Sequence, residues 1–151
     1  RDLHSFPTRR SSDLVLNVSP SEGIIETINN SKAVIIGPSN PITSILPILS
    51  LEGVRDALKK TYVIAVSPII GEDSVSGPAS KFMKALNIEV SPFGVASLYE
   101  DFLDNIVIDE KDIDKIKDLK QIVNKVTITN TIMDNFKAKK NLAEIILKEV
   151  L

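Results

Sequence analysis

The stretch from Ala33 to Leu49, Ala-Val-Ile-Ile-Gly-Pro-Ser-Asn-Pro-Ile-Thr-Ser-Ile-Leu-Pro-Ile-Leu, constrains this chain's fold more than any other. Ala33 to Ile36 are apolar throughout, which suits a strand covered on both faces. Gly37 opens backbone conformations closed to other residues, and Pro38 and Pro41 stiffen the turn that follows. A helix start then carries Thr43 and Ser44. In an open α/β sheet, ligands bind at the carboxyl ends of strands, and anions are favoured where a helix begins. Gly37, Pro38, Ser39, Asn40, Thr43 and Ser44 are therefore the first candidates for holding a phosphate, through neutral hydrogen bonds and without Lys or Arg. An ordinary capped turn between strand and helix accounts for the same spacing.

The rest of the chain alternates in the same way. Ser19, Pro20 and Glu22 have the order of a capped helix start, predicting helix to about Asn30. A helix is expected from Glu52 to Lys60, a buried strand from Tyr62 to Ser67, a loop from Pro68 to Ser76 and a helix from Pro78 to Leu86. Ile88 to Val90 reads as a short strand and Ser91-Pro92 as the start of a helix to about Leu103. Ile106 to Ile108 reads as a strand, Glu110 to Leu119 as a charged surface helix, and Ile122 to Ile128 as the last strand. A final helix runs from about Asn135 to Val150. Strands alternating with helices predict an α/β, Rossmann-like, mainly parallel sheet with helices on both faces. Ser67 and Gly71 leave the strand after the first, so they join the candidate phosphate-binding residues. Ser67 to Gly71 reads equally well as a plain strand exit.

Several separate stretches carry a family resemblance. Gly37-Pro-Ser-Asn-Pro-Ile-Thr-Ser-Ile45 with Pro47-Ile-Leu49 resembles the signature of the 2-phospho-L-lactate transferase family. Val63 to Gly71, Ser76 to Ala79, Lys81 to Leu86, Gly94 to Ala96 with Tyr99, and Thr131 to Met133 are similar to later motifs, in the same order. The chain departs from the pattern at Glu72 and Asn87, where the family often has glycine. Asn tolerates positive φ. A carboxylate at Glu72 would repel a nearby phosphate unless a metal or distance intervenes.

The resemblance implies a Rossmann-like fold of which this chain is the C-terminal portion. It implies transfer of a 2-phospho-L-lactyl or phosphoenolpyruvyl group from a guanylyl diphosphate donor to the deazaflavin Fo, releasing GMP, in coenzyme F-420 biosynthesis. It further implies Mg2+ as cofactor, cytoplasmic location and a homodimer for the full-length enzyme. In the family, the glycine-rich first turn and the aspartates serving metal and acceptor come from the N-terminal half. No general base, catalytic residue or metal ligand is therefore assigned here, and the chain alone is expected to be inactive. The related gluconeogenesis-factor family of nucleotide- or nucleotide-sugar-binding regulators is the alternative. It usually reads Gly-Pro-Gly-Ser where this chain has Gly-Pro-Ser-Asn-Pro.

Arg1 to Leu14 stands outside that resemblance and reads like the translation of a sequencing-library adapter, leaving 15–151 as the transferase portion. It has no continuous apolar core, unlike a signal peptide. It contains the sole histidine, His4, and the chain has no cysteine. Without it, histidine general-base catalysis, cysteine nucleophiles and Cys/His zinc sites are excluded. Its three Arg against two Asp make the remainder slightly more acidic than the formal net charge of −2. That balance gives no electrostatic footprint for nucleic acid. No run approaches the ~18 uncharged apolar residues of a membrane span. Asp101, Asp104 and Asp109 are read as caps and solvated residues before metal ligands, Met83 and Met133 as core, and Tyr99 as a packing ring.

Overall fold

Four short strands rich in Ile and Val lie side by side because each is followed by a segment that folds back over one face of the sheet. In the computed structural model, which describes residues 18–75 and 77–151, the strands are β1 (Ala33–Ile36), β2 (Tyr62–Val66), β5 (Asn105–Asp109) and β6 (Lys125–Thr129). They form one parallel sheet in the order β1-β2-β5-β6, with Ile36 beside Ala65, Val66 beside Val107 and Ile108 beside Ile128. The fold is α/β and Rossmann-like, as expected. A two-stranded antiparallel ribbon of β3 (Ile69–Ile70) and β4 (Asp73–Ser74) occupies the stretch read from sequence as loop.

The helices are α1 (Ile24–Asn30), α2 (Leu46–Leu49), α3 (Val54–Leu58), α4 (Ala79–Ala85), α5 (Pro92–Ser97), α6 (Ile116–Leu119) and α7 (Phe136–Lys148). Those up to α6 share one face, where Val63, Ala65, Ile106 and Ile108 meet Leu58, Met83, Val95 and Leu119. α7 crosses to the other face, placing Leu142 and Ile146 over Ile64, Val66 and Val107. Burying such side chains stabilises the fold by about 1.5–3 kcal/mol each.

Several local expectations are corrected. α1 begins after Gly23, whose φ of +82° places it in left-handed conformation, so Ser19 does not cap the helix. Ile88 to Val90 pairs with no strand among the described residues; it is the turn that brings Ser91 into position to cap α5, accepting from the Gly94 amide at 3.1 Å. α5 stops at Ser97, short of Leu103. Glu110 to Leu119 is not a uniform surface helix: it is a 3₁₀ turn followed by α6, with Asp112 and Leu119 buried. β6 starts three residues later than expected. Met83 is core, but Met133 is 38% exposed. Finally, β1 is not covered on both faces: Val34 and Ile36 pack inward, whereas Ile35 is 46% exposed.

Candidate functional site

Because the sheet is parallel, the segments after β1, β2 and β5 all emerge at its same end. The segment after β1 is built around Asn40. Its side-chain Oδ1 accepts the amides of Ile42 (3.0 Å) and Thr43 (3.2 Å), while its carbonyl accepts those of Ser44 (3.0 Å) and Ile45 (3.2 Å). Pro41 to Ile45 therefore form a wide π turn leading into α2. Pro47 explains the widening, because it has no amide to offer Thr43 and its ring crowds that carbonyl.

This arrangement changes the expected chemistry of the turn. Pro41 has no N–H, and the next four amides are all bonded to Asn40. The helix start thus keeps no free main-chain donor for an anion. Ser39, Thr43 and Ser44 are exposed, whereas Asn40 Nδ2 is a buried donor with no partner among the described residues. A buried unsatisfied amide of this kind costs about 1–3 kcal/mol. Gly37 is exposed and Pro38 half-buried at the strand exit. Around Gly37 a Cβ would meet nothing within 4 Å, leaving the backbone open to close approach.

The second loop is placed beside the first but its groups are engaged internally. The Ser67 hydroxyl donates to the Ile69 carbonyl (2.8 Å) and accepts the Ile69 amide (3.1 Å), buried at the end of β2. Gly71 adopts φ +62°, and its amide donates to Asp112 Oδ1 at 2.8 Å. Gly71, Glu72, Lys84, Glu89, Lys111 and Asp112 border a cleft of about 490 Å³. Asp112 is 1% exposed, and its Oδ2 has no partner among the described residues. Burial pushes its carboxyl above the usual carboxylate range; the Gly71 amide pulls the other way. Asn87 takes φ +57°, the conformation its amide side chain tolerates.

The aspartates have separate structural tasks. Asp109 accepts the Lys111 amide through Oδ1 and the Thr131 amide and hydroxyl through Oδ2, pinning the exits of β5 and β6 together. Asp104 Oδ2 accepts the Val63 amide at 2.8 Å. Asp101 pairs with Arg55, and with Lys59 at 3.4 Å. Among the described residues, no three of His, Cys, Asp or Glu converge where a metal could sit. These residues do not by themselves make a magnesium site. Tyr99, 2% exposed, stacks on Phe102 with ring centroids 5.8 Å apart, so it is a core ring. No helix among the described residues is long and apolar enough to cross a membrane.

Two features escaped sequence reading. Asp112 sits in a run of alternating charges that resembles a solvated surface, and only the tertiary fold buries it. Asn105, fully buried, exchanges hydrogen bonds with Thr127 across β5 and β6 (3.0 and 3.2 Å).

The family model described as 2-phospho-L-lactate transferase CofD matches residues 6–151. The chain is similar to a 2-phospho-L-lactate transferase of Methanothermobacter thermautotrophicus, 46% identical over 99% of this chain and 51% of the relative. Proteins of the same name from Methanocaldococcus jannaschii and Methanosarcina barkeri are each 47% identical, over 97% and 88% of this chain and 49% and 43% of their own lengths. The chain thus spans about half the length of the curated relatives it matches. A parallel sheet, a Gly-Pro-Ser-Asn-Pro exit loop and a family match over nearly every residue lead to one conclusion: the chain belongs to the 2-phospho-L-lactate transferase CofD family.

Proposed function

We propose that this chain is the C-terminal part of a transferase acting in coenzyme F-420 biosynthesis, and that its loop after β1 grips the diphosphate of a guanylyl donor. The donor carries a 2-phospho-L-lactyl or phosphoenolpyruvyl group, and the acceptor is the deazaflavin Fo. The Fo hydroxyl attacks the β-phosphorus, a phosphodiester forms, and GMP leaves with the electron pair of the broken anhydride bond. The observation that supports this reading is the exit loop after β1, where Ser39, Thr43 and Ser44 are exposed and Asn40 Nδ2 has no partner among the described residues. Donors fixed before the reaction stabilise charge that grows on the bridging oxygen without reorganising. The helix formed by Pro41 to Leu49 holds them in place, because Asn40 is both its cap and the donor.

Phosphoryl transfer depends on positioning and electrostatics, so a site without histidine or cysteine is chemically adequate. Mg2+ would neutralise the diphosphate when bound, with ligands supplied from outside the described residues. The complete enzyme is proposed to work in the cytoplasm as a homodimer. The fragment beginning at Val15 is expected to show no conversion of Fo when purified alone. The assay is chromatographic detection of the phosphodiester product with donor, Fo and Mg2+ supplied. Turnover by that fragment would show that the loop acts without a companion segment and would overturn this division of labour.

A further inference from the structure

We propose that Asp112 is a positioning residue for the transfer reaction: it fixes the Gly71 turn after β2 and, through that turn, the neighbouring loop Gly37 to Ser44. The inference rests on the reading above, in which that loop meets the donor.

The exit of β5 is built as a clamp. β5 lies between β2 and β6 in the sheet, and the turn that leaves it carries two buried carboxylates, Asp109 and Asp112. Asp109 reaches to one side, where Oδ2 accepts the Thr131 amide at 3.0 Å and its hydroxyl at 3.2 Å. Asp112 reaches to the other, where Oδ1 accepts the Gly71 amide at 2.8 Å. One short turn therefore holds the segments leaving both neighbouring strands. The ribbon of β3 and β4 needs such a tie, because its two strands pair with each other and not with the sheet. Ile69 anchors the ribbon's base in the core, and Asp112 holds its Gly71 turn. A carboxylate is a costly choice for that task, since burial strips its hydration and Asp109 adds a like charge nearby. Loops fixed at such cost at the ligand-binding end of an open sheet are characteristic of preorganised sites.

The tie also has a route to the candidate loop. β1 and β2 pair in parallel, so their exits are neighbours. Ile69 of the ribbon and Ile42 of the π turn are buried in one cluster with Ala79 and Met83 of α4. α4 packs against both β4 and the π turn Pro41 to Ile45. Close packing passes a shift of the ribbon on to the helix and to the turn it touches.

Asp104 supplies a matched control. Its Oδ2 accepts the Val63 amide, also at 2.8 Å and also 41 residues away in sequence, but at the amino end of β2. A role confined to stability predicts the same behaviour of the two aspartates. Positioning predicts that only Asp112 alters catalysis.

The test uses the complete enzyme with guanylyl donor, Fo and Mg2+, each rate divided by the folded fraction from circular dichroism. Asp112→Ala should lower kcat ~10²-fold with little change in the KM for the donor, because the groups that hold the diphosphate remain. Asp112→Asn should restore most of the rate, since its Oδ1 accepts the same amide without a charge. Asp104→Ala should stay close to the wild-type kcat although it loses a similar hydrogen bond. Should Asp112→Ala fail to fold, Asp112→Ser, whose hydroxyl stops one bond short, repeats the measurement. Wild-type kcat in either folded variant would overturn the inference while leaving the transferase reading intact. So would failure of both to fold, or equal losses at Asp112 and Asp104, which mark a purely structural tie. An Asp112→Asn enzyme as slow as Asp112→Ala would overturn it too, since charge and not the hydrogen bond would then matter. A wild-type enzyme that converts no Fo would instead refute the transferase reading, and this inference would fall with it.

Discussion

Asn40→Asp in the complete enzyme is expected to lower turnover about 10²–10³-fold and, by burying an unpaired carboxylate oxygen, to destabilise the fold by about 1–3 kcal/mol. Both effects arise at Nδ2, because Asn40 does two jobs with two atoms. Oδ1 caps the π turn by accepting the Ile42 and Thr43 amides, and an Asp oxygen accepts them equally well. Nδ2 is a buried donor without a partner among the described residues, and Asp replaces it with a charged acceptor that repels a diphosphate. Asn40→Ala would lose both functions, with about 1 kcal/mol of destabilisation added to the kinetic defect. Ser44→Ala should reduce turnover in the same direction, since only a hydroxyl is removed. Steady-state kinetics with urea unfolding of the same preparations checks each part. An Asn40→Asp enzyme with wild-type rates would show that Nδ2 meets no reacting group.

Gly94→Ala is expected to destabilise the fold by about 3 kcal/mol. Helix propensity alone predicts the opposite sign, because alanine is favoured over glycine by about 1 kcal/mol inside a helix. Sterics decide. A Cβ on Gly94 would lie 1.9 Å from the Glu89 carbonyl oxygen and 2.8 Å from its carbon, both backbone atoms. That carbonyl accepts the Ser91 amide at 3.0 Å, and the Ser91 hydroxyl in turn accepts the Gly94 amide. Relieving the collision requires shifting the turn or the helix, and Val95 and Ala96 anchor the helix in the core at zero exposure. The urea midpoint of this chain is the direct measure. A variant as stable as wild type, or more so, would mean the turn from Glu89 to Ser91 yields freely.

Strands and helices were legible in the sequence where one pattern dominated. Val63 to Val66 and Ile106 to Ile108 are unbroken apolar runs with both faces buried, and α7 shows apolar residues at helical spacing over thirteen residues. Boundaries were lost where backbone conformation overrode composition. Gly23 in left-handed conformation delays α1, and Pro47 widens the turn before α2. The ribbon of β3 and β4 was missed because two-residue strands leave no periodicity.

The candidate loop was visible from its residue types, but its donors were not. A helix start suggests free amides, but Asn40 takes those of Ile42, Thr43, Ser44 and Ile45, through tertiary geometry that residue types do not encode. Ile35 shows the converse limit. Its apolar neighbours read as a strand buried on both faces, whereas Ile35 is 46% exposed because no described helix packs over it.

The most direct test is the position of guanosine diphosphate in the complete enzyme, determined crystallographically with Mg2+ present. The account predicts diphosphate oxygens within hydrogen-bonding distance of Asn40 Nδ2 and of at least one hydroxyl among Ser39, Thr43 and Ser44. A diphosphate bound elsewhere, with Asn40 Nδ2 still unpartnered, would contradict it.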